Sequence, residues 1–143
     1  MNSSNLTMAQ QVAQVAREFQ FRRTGHSPRT VTVVLNDNTL VITMHGALTP
    51  AEEALAVNPE GAAQVQEFHR HLFANSLEEL RREIKRITGV EVREAAAEVD
   101  TTTGTIVHAF ANGSMVQVFL LAGNLSDHDW NKTPPLPTAT QED

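Results

Sequence analysis

The sequence predicts an α+β fold in the order α-β-β-α-α-β-β-β, with an antiparallel sheet of two hairpin-like units and an N-terminal helix and a long central helix packed on one face. Three observations carry this expectation. Residues 61–88 keep a helical period of apolar side chains over their whole length. Before them, two runs rich in Val, Ile, Leu and Thr (30–35 and 39–45) flank the turn-forming Asn36-Asp37-Asn38. After Gly89 the pattern returns to strands, which calls for a second sheet unit.

Residues 6–22 read as the first helix, because Met8, Val12, Val15 and Phe19 recur at helical spacing. Ser3, Ser4 or Thr7 can cap it. Arg22 and Arg23 fall in the last turn, where the helix dipole favours cations, and Gly25 and Pro28 break the helix. The hairpin follows. On its second strand Leu40, Ile42 and Met44 share one face, and Thr39, Val41, Thr43 and His45 share the other. The first face is the more apolar and is assigned to the core.

Thr49-Pro50-Ala51-Glu52 is a strong helix start. The Thr49 side chain can accept from the Glu52 backbone N–H while the Glu52 carboxylate returns to the Thr49 N–H, which completes a capping box. Pro50 falls at the first helical position, where a missing N–H costs nothing. This helix is short, since Asn58-Pro59 follows. In the long helix Val65, Phe68, Leu72, Leu77, Leu80, Ile84 and Ile87 lie near one stripe. Asn75-Ser76, with Glu79, offers a second capping box and a place for a kink. Strands are expected at 90–99, 105–111 and 114–121, the last two joined by a type I′ turn at Asn112-Gly113. Residues 1–123 form the expected domain. Residues 124–143, rich in Pro, Asp and Thr, read as a disordered tail in which Trp130 is the exception.

Composition narrows function. A length of 143 residues suits one domain. Apolar residues make up 41% of the chain but include only six Phe and one Trp, so the core must be mostly aliphatic. The chain has no cysteine, which excludes disulfides, thiol catalysis and Cys-ligated metal sites and suits a reducing compartment. A net charge of −6 argues against nucleic acid and against direct adhesion to an anionic membrane. No window reaches the ~18 uninterrupted apolar residues of a membrane span, and the first twenty residues lack the pattern of a signal peptide.

Chemistry-bearing clusters receive mostly structural readings. Residues two apart on a helix diverge, so His69 and His71 cannot share a metal within it and read as solvated or partner-facing. Glu52 and Glu53 also diverge, and capping already explains Glu52. Arg81, Arg82, Lys85 and Arg86 are interleaved with Glu78, Glu79 and Glu83 and read as a paired, solvated face. His45 and His108 lie on strands and could converge on one site only if those strands were neighbours. Arg22, Arg23, His26 and Arg29 surround the Gly25–Pro28 loop and form the candidate anion-binding set. No metal site, cofactor or catalytic residue is expected.

The stretches Gly25-His-Ser-Pro-Arg-Thr-Val-Thr-Val-Val-Leu-Asn-Asp-Asn-Thr-Leu-Val-Ile, His45-Gly-Ala-Leu-Thr-Pro-Ala-Glu-Glu-Ala-Leu and Ile87-Thr-Gly-Val-Glu-Val, in that order, resemble the MpsC-like family. Leu48-Thr49-x-x-Glu52 is the most specific element. Ser27 stands where that family usually has glycine, and His45 where it often has an acidic residue. The resemblance implies a non-enzymatic accessory or interaction module linked to a membrane ion or inorganic-carbon system. It would be cytoplasmic, peripheral to the inner face of the membrane, with a membrane-protein partner. A homodimer is expected because a long helix and exposed strand edges need cover.

Overall fold

The computed structural model describes residues 6–100 and 114–131. Helix α1 (Met8–Thr24) starts at Thr7, whose side chain accepts from the Gln10 N–H at 3.1 Å while the Gln10 side chain accepts from the Thr7 N–H at 2.9 Å. Thr7 is thus the cap among the three candidates, and the helix sits two residues later than 6–22 at each end. It stops where Gly25 turns left-handed, with φ 75°.

Strands β1 (Thr30–Asn36) and β2 (Thr39–His45) form the expected antiparallel hairpin, closed by Asn36 opposite Thr39. Leu40, Ile42 and Met44 are buried on the face assigned to the core. Helix α2 (Pro50–Leu55) is followed by α3 (Pro59–Thr88), β3 (Val92–Asp100), β4 (Ser114–Leu121) and α4 (Asp127–Asn131). The sheet order is β1-β2-β4-β3, every neighbour antiparallel. Helices α1 and α3 supply the other half of the core, with Val12, Ala16, Phe19, Val65, Phe73, Leu80, Ile84 and Ile87 buried against Phe119 and Leu121.

β4 pairs with β2 along one edge and with β3 along the other. The sequence predicts a strand at 105–111 and a turn at Asn112-Gly113 before β4. Residues 105–111 and that turn lie outside the described residues. Burial of Met115, Phe119 and Leu121 favours a central position for β4.

Helix α3 decides between the alternatives at Asn75-Ser76 in favour of one continuous helix. It runs unbroken for 30 residues, about 45 Å at ~1.5 Å per residue. Ser76 does not cap a new helix. It is buried, and its hydroxyl accepts from Arg23 Nε at 2.9 Å. The buried stripe is Val65, His69, Phe73, Ser76, Leu80, Ile84 and Ile87. Phe68, expected in the core, is 48% exposed. The observed steps of three and four residues follow the helical period throughout, but two of the positions are polar.

Trp130 corrects the domain end expected at residue 123. It is 5% exposed and belongs to the core cluster, with Leu125 packed against that cluster. The fold therefore extends through α4, which docks on α1, and not only to residue 123. Apolar burial of one indole outweighs the polar composition around it. Residues 132–143 lie outside the described residues.

The junction of α2 and α3 is tight. Asn58 caps α3 by accepting from the Gly61 N–H at 2.7 Å. A Cβ on Gly61 would lie 1.7 Å from the Leu55 carbonyl oxygen. Gly61→Ala must push the two helices apart, and we expect it to cost about 1–3 kcal/mol in denaturant melts. At Gly123 a Cβ would meet only Val90, at 3.9 Å. Gly123→Ala should stay within about 0.5 kcal/mol of wild type.

Candidate functional site

The segment leaving β2 determines what is presented around it. Gly46 takes φ 65°, which turns the chain so that Ala47 and Leu48 enter the core. Thr49 then caps α2. Its side chain accepts from the Glu52 N–H at 3.1 Å, and Glu52 Oε1 accepts from the Thr49 N–H at 2.8 Å. The capping box therefore forms as its residue types predict.

The other carboxylate oxygen does something unforeseen. Glu52 Oε2 lies 2.8 Å from His69 Nε2, and the His69 side chain is 1% exposed. Burial alone raises the Glu52 carboxyl. Hydrogen bonds from His69 and Thr49 outweigh it and hold the group below its ordinary value of 4.5. Glu52 thus fastens the start of α2 and ties it to the middle of α3. Both its oxygens are engaged, so this carboxylate is a structural latch and not a base presented to a substrate.

His69 is accordingly buried, not solvated or partner-facing as expected. It sits four residues after Val65 and four before Phe73, on the buried stripe. His71 does face outward, where it pairs with Glu67 at 3.2 Å. The two imidazoles point to different sides of the helix. Among the described residues no group of three or more His, Asp or Glu side chains could hold a metal ion.

The candidate anion set is divided. Arg22 and Arg23 turn toward α3 and approach Glu79 at 3.7 and 3.6 Å, and Arg22 stacks over the Phe19 ring. His26 and Arg29 turn the other way. His26 Nε2 lies 3.0 Å from the Gly46 carbonyl oxygen, and the Arg29 guanidinium packs so close to Gly46 that a Cβ there would sit 2.8 Å from Nη1. Together with Ser27, Leu48, Pro50 and Glu53 they line a groove of about 190 Å³. Pairs as exposed as those to Glu79 contribute little, so Glu79→Ala should change stability by less than about 1 kcal/mol in thermal melts.

His45 Nδ1 meets the buried Ser114 hydroxyl at 3.0 Å, so its partner on the sheet is the start of β4. His108 lies outside the described residues. The basic stretch of α3 binds its own domain: Arg81 donates to the Val92 carbonyl at 2.9 Å, Lys85 pairs with Glu91, and Arg86 with Glu83. Only the last is the spacing expected within the helix.

A family model described as Na+-translocating membrane potential-generating system (MpsC) matches residues 4–112. The chain belongs to the MpsC family. The matched span runs from α1 through β3 and contains both Glu52 and His69, so the latch lies within the MpsC region. No curated protein and no solved structure matches the chain. Among the described residues no helix is long and apolar enough to cross a membrane.

Proposed function

We propose that this MpsC-family chain is a non-enzymatic accessory or interaction module of a membrane potential-generating system, held at the inner face of the membrane by an integral membrane partner. Membership of the family carries this reading. The engagement of Glu52 and the dispersal of the candidate cations over two sides of the fold agree with a binding role rather than a catalytic one. Val57 is 83% exposed and Leu55 45%, at the α2–α3 junction, which offers apolar contact to a partner. Tagged full-length chain should retain an integral membrane protein through purification from native membranes, and Val57→Asp should reduce that retention. Absence of any membrane protein would remove the reading. A homodimer is part of the proposal, and light scattering at micromolar concentration should give twice the chain mass.

The groove favours a second reading, a small-anion site. The candidate set narrows there to His26 and Arg29, since Arg22 and Arg23 face Glu79. Inorganic phosphate should raise the melting temperature of the wild type but not of Arg29→Glu. No shift in the wild type would dismiss it.

A further inference from the structure

Three side chains in the apolar core carry polar atoms without a hydrogen-bond partner among the described residues: Gln20 Nε2, His69 Nδ1 and Gln117 Oε1. They come from α1, α3 and β4, and each side chain belongs to a residue at least nine-tenths buried. All three line one cavity, whose other walls include Phe19, Phe73 and Leu80. An unpaired polar group in such a place costs about 1–3 kcal/mol, so three around one space call for a common partner.

We propose that this cavity is a binding site for one ordered water molecule, which joins α1, α3 and the sheet. The donor and acceptor count matches. With Nε2–H of His69 donating to Glu52, Nδ1 of the neutral ring is an acceptor. Gln117 turns its amide NH2 to Met115 Sδ at 3.8 Å, which leaves Oε1 as a second acceptor. Gln20 Nε2 is a donor. A water donates to the first two and accepts from the third, the usual three bonds of a buried water. The cavity admits about 20 Å³ of water-centre positions, and a single water needs roughly 10–15 Å³. Anything larger than a water-sized neutral molecule is excluded on size. The site makes His69 a two-sided residue, tied through Nε2 to the α2 latch and through Nδ1 to the sheet.

Oxygen-17 relaxation dispersion on the full chain reads long-lived internal water, and nitrogen-15 spectra read the His69 tautomer. The wild type should show a long-lived water that is lost in Gln117→Leu, and an unprotonated, hydrogen-bonded His69 Nδ1 whose shift moves in that variant. Gln20→Met is the second variant, should Gln117→Leu not fold, and it should lose the same water. An equal long-lived water signal in wild type and folded variant, or a protonated Nδ1 in the neutral wild-type ring, would overturn the proposal.

Discussion

Glu52→Ala is expected to destabilise the domain by about 2–4 kcal/mol, measured by chemical denaturation. Removing Glu52 leaves the buried His69 N–H without its acceptor, which costs about 1–3 kcal/mol. The same substitution removes half of the capping box at Thr49. Glu53→Ala, one residue along on an exposed position, should change stability by less than about 0.5 kcal/mol. The effect also has a pH signature. The folded-state carboxyl titrates below its ordinary value of 4.5, so its contribution is fully present above that value and is lost as the pH falls through the folded-state pKa. The deficit of Glu52→Gln relative to wild type should therefore be largest near neutral pH and shrink below about pH 4.5.

Trp130→Ala should cost about 3 kcal/mol in the same assay, within the range for truncating a buried large aromatic. The indole is 5% exposed and packs in the common core, although it lies in a stretch whose composition reads as tail. As the chain's one tryptophan, it also gives a direct optical test. Native emission should be blue-shifted and move to the red on unfolding.

What could be read from the residues depended on how local the determining signal was. The capping box at Thr49 and Glu52, the Asp37 turn and the helix stop at Gly89 each depend on a few adjacent residues, and each formed as expected. The sheet order β1-β2-β4-β3 was not legible, because strand order is decided by which faces the sheet buries across long sequence separations. The buried stripe of α3 was half legible. Choosing the most apolar side chain in each turn selected Phe68 and passed over His69 and Ser76, although the period runs through the latter two. A polar residue is invisible as a core residue until its partner is known, and those partners, Glu52 and Arg23, lie 17 and 53 residues away. For the same reason the four cations around Gly25 looked like one set. Neighbours in sequence, they point to opposite sides of the loop, toward Glu79 and toward Gly46.

The central structural claim is that the α2 start and the middle of α3 are one device, joined by Glu52 and His69. A double-mutant cycle with Glu52→Ala and His69→Ala tests it most directly. The latch predicts a coupling of at least about 1 kcal/mol between the two sites, as for residues sharing a buried contact. Additive losses, with a coupling below about 0.3 kcal/mol, would contradict it.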